Sequence, residues 1–288
     1  MASPEYSQTQ AIVCRAPSDG NREWALEQVA IAPPADDEAI VELVASEINF
    51  GGCTDAFMGS PEGISGEAIG GSFFGQSSFS RLTRVKETSL VKITHLLDDD
   101  DDLKMFAPLG CGIQTGAGTI TELATAQPSD KIAVIGLGAV GQAAIMVRFG
   151  ATHVINTSFL TGGLVKEIKN ITGGAGTSIT VDATGVVPLI QEGVEFTANQ
   201  GKFILLGGPP MDAGLEISLV RYMFTGKSIL GSMEGSVYPE EYIPNMIRWY
   251  KAGRFPVDKL VKFYSAKDFP KALKDMEEGV AIKPVLVW

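Results

Sequence analysis

Histidine is nearly missing from this chain: 288 residues carry two, His95 and His153. Neither stands at metal-ligand spacing, and both read as surface or internally satisfied residues. Ser77 and Ser78 have no Asp or His partners at useful spacing, so a hydrolase triad is not supported. Cysteine is scarce too. Cys14, Cys53 and Cys111 are odd in number and widely spaced. That excludes a disulfide framework and a Cys-x-x-Cys knuckle, and fits a reducing, cytoplasmic setting. Positive charge is in deficit, with 23 Lys and Arg against 34 Asp and Glu, a formal net charge of −11. Nucleic acid and anionic membrane surfaces need a basic footprint, so neither is expected as a partner. No apolar run reaches the length of a membrane span. Residues 1–10 are polar and lack the regions of a signal peptide.

What is there suits a globular chain. At 45% hydrophobic residues, the chain can bury a full core in one or two domains. The first hundred residues read as β-rich, with strands expected at 10–13, 24–31 and 39–44 between Pro, Gly and Asp punctuation. Residues 51–75, crowded with glycine and serine, read as loop. Five aspartates, Asp98 to Asp102, read as a solvated loop favouring the N-terminus of the next helix rather than as a cation site. From Lys131 strands and helices alternate. Strands are expected at 132–135, 152–156, 178–183 and 202–206, and helices at 142–149, 164–171 and 188–198. Such alternation implies right-handed crossovers and a parallel sheet. A further helix at 239–251 carries Tyr242, Met246, Ile247 and Tyr250 at helical spacing and is closed by Gly253. Residues 283–288 could return as a strand to the first domain.

The most informative stretch is KIAVIGLGAVG, from Lys131 to Gly141. A β-branched run ends in Gly136-Leu137-Gly138-Ala139-Val140-Gly141 and opens into a helix, as in a dinucleotide-binding βα unit. Gly136 allows the turn, Gly138 lets backbone approach a pyrophosphate, and Gly141 lets helix pack on strand. The helix N-terminus offers N–H groups and a positive dipole end to phosphate. An Asp or Glu about 20 residues on usually holds the adenosine ribose. Here the next strand-like run ends in Asn156. Either Asn156 holds the ribose weakly, or a βα unit has been lost.

Several segments together resemble the zinc-type medium-chain alcohol dehydrogenases, within them the aryl (benzyl) alcohol dehydrogenase branch. They are FFGQSSF at 73–79, PLGCGIQTGAG at 108–118, the glycine turn, GATHVIN at 150–156, GRFP at 253–256 and IKPVL at 282–286. They occur in family order and cover most of the chain after Asn49. The resemblance implies an α/β protein: a truncated GroES-like β domain, residues 1–110 with 260–288 returning to it, and a Rossmann doubly wound parallel sheet over 111–259. It implies hydride transfer between NAD or NADP and an aromatic or bulky alcohol or aldehyde, with zinc polarising the alcohol oxygen. Cys111 would be a zinc ligand, and Thr115 would lie against the nicotinamide. Thr184, Gly185 and Val186, with Leu206, Gly207 and Gly208, would line the adenine and nicotinamide-ribose sides. Lys283 would reach the pyrophosphate. A homodimer is expected, pairing through the edge strand around 229–233.

The departures from that pattern are large. The family's Gly-His-Glu motif and its four-cysteine structural zinc lobe have no match. Cys53-Thr54-Asp55 echoes the Cys-x-Thr-Asp strand end, which would make Cys53 a second zinc ligand. Alternatively Asn49-Phe50-Gly51-Gly52 matches the branch's Asn-Phe-Gly-Gly, and the first ligand cysteine is absent. One or two cysteines do not close a tetrahedral zinc site. A second loss falls between Met146 and Val147, where the βα unit with the acidic strand end is skipped. The alternatives to the dehydrogenase are a catalytically inert relative and, third, a zinc-independent NADPH reductase of the same fold, which FFGQSSF and GCGIQTGAG disfavour because they point to the zinc branch.

Overall fold

The computed structural model describes residues 7–15, 23–47, 78–147 and 150–288. The predicted loop at 51–75, Cys53 and most of FFGQSSF therefore lie outside the described residues. The chain divides into two compact units, 1–108 with 260–288, and 109–259.

The first unit is mostly antiparallel. Strands β1 (Ser7–Arg15) and β2 (Glu23–Ile31) form a hairpin-like pair, and β3 (Glu38–Glu42) pairs with a later strand, β5 (Leu82–Lys86). The short β4 (Ala45–Glu47) joins a three-stranded sheet completed from the far end of the chain. Helix α1 (Asp100–Phe106) starts at Asp99, whose carboxylate accepts from the backbone N–H of Asp101 and Asp102. The aspartate run is thus a helix cap with acids in the first turn, where the helix dipole favours them.

In the second unit, helix α2 (Gly112–Gly118) precedes β6 (Ile132–Ile135), α3 (Ala139–Met146), α4 (Leu164–Ile171), β7 (Thr177–Asp182) and α5 (Val187–Phe196). Then come β8 (Thr197–Leu205), α6 (Leu219–Thr225), β9 (Ser228–Gly231) and α7 (Pro239–Lys251). The four strands form one parallel sheet in the order β6-β7-β8-β9. Its two faces are covered separately. Ile132 and Val134 of β6 pack with Ala144 of α3 and Ile120 on one face. Ala133 and Ile135 pack with Leu164 and Ile168 of α4 and Phe196 on the other. Burial on both faces shows in β7, where Thr180 and Asp182 are as buried as Ile179 and Val181 although the sequence alternates in polarity. Val181, Phe203 and Ile204 are fully buried, each stabilising by roughly 1.5–3 kcal/mol.

One expected strand is not there. Residues 150–156 form no strand, and residues 157–159 turn as a short 3-10 helix with Asn156 as its cap. The connection from α3 on one face to α4 on the other passes the free edge of β6, where Ile155 and Leu160 pack against the α4 side. A β-branched composition does not by itself lay a strand, even with β6 at the edge of the described sheet; Val154, which made the run look strand-like, is 78% exposed.

The chain then returns to the first unit with β10 (Val261–Ser265), α8 (Phe269–Glu277) and β11 (Lys283–Val287). Strand β11 lies between β10 and β4, so the two ends of the chain share one sheet. Tyr264, Phe269, Ala272 and Leu286 form its core with Ile12. Asp275 of α8 takes hydrogen bonds from Lys271, Tyr264 and Lys262. These hold its carboxyl well below the usual range, Lys271 contributing most.

Candidate nucleotide site at the strand ends

The carboxyl ends of β6, β7, β8 and β9 gather the loops from which a site can be built. After β6, Gly136 has φ +98°, a backbone state that side chains rarely adopt. A Cβ at Gly141 would stand 2.1 Å from the Gly136 carbonyl oxygen, so the helix start and the turn meet backbone to backbone. At Gly138, by contrast, an added Cβ meets nothing within 4 Å, leaving open space over the turn. Gly138 is also the N-cap of α3 and gives no side-chain cap, so the first-turn N–H groups at Ala139 and Val140 face outward unbridged by a capping side chain. Helix α3 begins inside the glycine motif, three residues before the expected 142.

Helix α2 is pressed onto this turn. A Cβ at Gly116 would lie 2.0 Å from the Val140 carbonyl oxygen, which explains the small residues of QTGAG. Its neighbour Thr115 is thereby held at the same end of the sheet. The Thr115 hydroxyl donates to the Cys111 carbonyl at 2.9 Å, and Thr119 continues the line with Ser232 at 2.7 Å.

The loops after β7 and β8 are fixed by one buried acid. Asp182 accepts from the Thr184 hydroxyl at 2.6 Å, the Thr184 N–H at 3.2 Å and the Gly185 N–H at 3.0 Å. Its carbonyl accepts from Leu206 and Gly207 N–H at 2.8 and 2.9 Å. Gly185 and Gly208 pack so closely that a Cβ on Gly185 would be 2.5 Å from the Gly208 carbonyl oxygen. Thr184, Gly185, Leu206, Gly207 and Gly208 are thus one rigid assembly, with Val186 half-exposed beside it.

Glu234 is the residue that sequence reasoning missed. It follows β9 in a left-handed conformation, φ +50°, and Gly235 and Ser236 continue it at +73° and +57°. A non-glycine residue held there costs on the order of 1–3 kcal/mol. The turn sits against α2, a Cβ on Gly235 falling 2.5 Å from the Gln114 carbonyl oxygen. It aims the Glu234 carboxylate at Gln114 Nε2 (2.9 Å), Thr115 Oγ1 (3.4 Å) and Cys111 Sγ (3.5 Å). The only local signal was a Met-Glu-Gly-Ser turn after a strand, which is common.

The remaining residues are Lys283, His95 and His153. Lys283 lies on β11 of the first unit, where its ammonium is 2.7 Å from the Glu47 carboxylate and both side chains are buried. His95 and His153 are exposed. Among the described residues no three His, Cys, Asp or Glu side chains come together as a metal group. Cys111 and Glu234 make two donors, and a catalytic zinc takes three protein ligands with one position open. The described donors therefore do not fit a catalytic zinc.

The comparisons agree with this architecture. The zinc-binding dehydrogenase family matches residues 122–252. Geraniol dehydrogenase of Castellaniella defragrans is 32% identical over 264 residues, 84% of this chain and 69% of that protein. A probable alcohol dehydrogenase of a Pseudomonas species is 33% identical over 193 residues, 59% of this chain and 60% of its own length. The chain thus spans only about three fifths to two thirds of these curated relatives. The crystal structure of benzyl alcohol dehydrogenase from Acinetobacter calcoaceticus matches the fold with a TM-score of 0.84 at 24% identity, covering 98% of this chain and 99% of that one. A GroES-like domain with a Rossmann domain is the shared architecture. On these matches the chain belongs to the zinc-type medium-chain alcohol dehydrogenases, a family of NAD(P)-dependent oxidoreductases.

Proposed function

We propose that this chain binds NAD or NADP over the Gly136–Gly141 turn and transfers hydride to or from an aromatic or other bulky alcohol–aldehyde pair. The observation that carries the reading is the tight turn with open space at Gly138 and an uncapped helix start, where a pyrophosphate can meet backbone N–H groups. The nicotinamide, once bound, supplies the carbon that takes or gives the hydride. The chain's own part is positioning. Gly136, Leu137, Gly138, Ala139, Val140 and Gly141 hold the diphosphate. The Asp182-braced loops, with Thr184, Gly185, Leu206, Gly207 and Gly208, line the sugar and base sides. Thr115, fixed by the Cys111 carbonyl and Glu234, backs the nicotinamide. Two relatives carry geraniol and benzyl alcohol in their names, which supports a bulky apolar alcohol as substrate.

Because the described donors do not fit zinc, no step is routed through a metal. That same observation favours a second reading, a metal-free NADPH-linked reductase of this fold acting on an activated double bond or quinone. A homodimer is proposed from α6 and β9. Leu219, Val220, Met223 and Phe224 expose a contiguous apolar run on α6, and β9 is the last strand of its sheet. Among the described residues no helix is long and apolar enough to cross a membrane, and a cytoplasmic setting is proposed from the cysteine usage.

The test is a titration of the purified protein with NADH and NADPH, read by nicotinamide fluorescence, with zinc measured on the same sample. Micromolar binding with near-stoichiometric zinc supports the alcohol dehydrogenase. Micromolar binding without zinc moves the assignment to the reductase. A folded sample that binds neither nucleotide is an inert relative. Sedimentation of the same sample as a monomer-sized species would remove the dimer.

A further inference from the structure

Resting on the dinucleotide reading, we infer that this chain does not read the 2′ position of the adenosine ribose, so that it accepts NADH and NADPH without discrimination. In a doubly wound sheet the first strand is internal, and the strand beside it ends in the group that tells the cofactors apart. That group is an acid on the 2′-hydroxyl for NAD, or an arginine on the 2′-phosphate for NADP. Here β6, the strand that carries the glycine turn, is the edge of its sheet. The strand order runs β6-β7-β8-β9 without reversal among the described residues. The chain still crosses from the α3 face to the α4 face, and does so past the β6 edge without laying a strand there.

Asn156, the residue at the sequence position of the missing acid, is already committed. Its Oδ1 accepts from the Ser158 N–H at 3.0 Å and caps the 3-10 turn at Thr157–Phe159. Among the described residues, the half-exposed Val186 beside the Asp182-braced loop offers adenosine an apolar contact that is indifferent to the sugar. Diphosphate contacts at the turn are common to both cofactors. They set affinity without setting preference, since specificity is a difference between two affinities.

Isothermal calorimetry with NADH and NADPH at 0.15 M salt tests this, because screening at that ionic strength limits the long-range penalty of the extra phosphate on an acidic protein. The dissociation constants are expected to agree within about fivefold, whereas a hydrogen-bonded ionised partner at the 2′ position would separate them by about tenfold to a hundredfold. Asn156→Asp, which keeps a capping oxygen, should leave the ratio unchanged. A ratio beyond about fivefold in either direction, or a tenfold shift toward NADH in Asn156→Asp, would overturn the inference while leaving dinucleotide binding intact. Binding of neither cofactor by a folded sample would remove the dinucleotide reading and this inference with it.

Discussion

The two sides of the parallel sheet are held in opposite ways. On the β7–β8 side, Asp182 holds two loops: its buried carboxylate accepts three hydrogen bonds from Thr184 and Gly185, and its backbone carbonyl accepts two from Leu206 and Gly207. On the β6 side, residues 150–163 form no strand, and Val154 and Phe159 are 78% and 82% exposed. Yet the glycine turn at the end of β6 is as tightly made as the loops across from it. The difference teaches where the stability of such a turn comes from. It is set by β6, the start of α3 and the α2 helix pressed on it, and owes little to the strand that a longer relative would place beyond. A missing βα unit can therefore cost recognition at the sugar while sparing the diphosphate cradle.

The sharpest way to break that comparison is Gly141→Val. Its Cβ would fall 2.1 Å from the Gly136 carbonyl oxygen, backbone that has nowhere to retreat. Overpacking of this kind costs about 3 kcal/mol. Urea unfolding should show that loss, and the NADH fluorescence signal should vanish with it. A variant that unfolds like the parent would mean that the turn is looser than the glycines imply.

Next in size is Asp182→Asn. The amide keeps the shape but turns one acceptor into a donor, which opposes the N–H of either Thr184 or Gly185, each of which donates to a different carboxylate oxygen. Hydrogen bonds to a charged group are each worth about 1.5–3 kcal/mol, so a loss of about 2–3 kcal/mol is expected. Hydrogen exchange should speed up at Thr184 and Gly185, whose N–H groups the carboxylate accepts, and stay unchanged at Ala139 and Val140. Equal acceleration at both places would erase the distinction between the two sides.

Sequence made some of this legible and not the rest, for physical reasons. Helical periodicity is local, so 164–171 and 239–251 were readable residue for residue. The glycine turn was readable because spacing and flanking elements must agree for it to form. Residues 152–156 misled, since β-branched composition reports a residue's fit to a strand but does not by itself drive pairing, even with β6 at the edge of the described sheet. Glu234 was invisible because its approach to Cys111 depends on a left-handed turn packing against a helix 123 residues away in sequence. Lys283, which the resemblance implies can reach a pyrophosphate, is paired within the first unit. Its neighbour Glu47 comes from a strand at the opposite end of the chain, a pairing that no local pattern encodes.

The smallest expected effect belongs to Phe159→Ser. An aromatic side chain in a connection is usually an anchor, and truncating a buried one costs about 3–5 kcal/mol. Phe159 instead stands 82% exposed, while its neighbours Ile155 and Leu160 turn inward to the α4 face. Its removal should therefore change unfolding free energy by less than about 0.5 kcal/mol, as for ordinary surface positions. Nicotinamide binding should not change either, since the turn at Gly136 is braced from the α2 side. A loss of more than about 1 kcal/mol would show that the 150–163 connection is packed onto the β6 edge in solution. The edge would then be covered rather than bare, and the contrast between the two sides of the sheet would be one of hydrogen bonding alone.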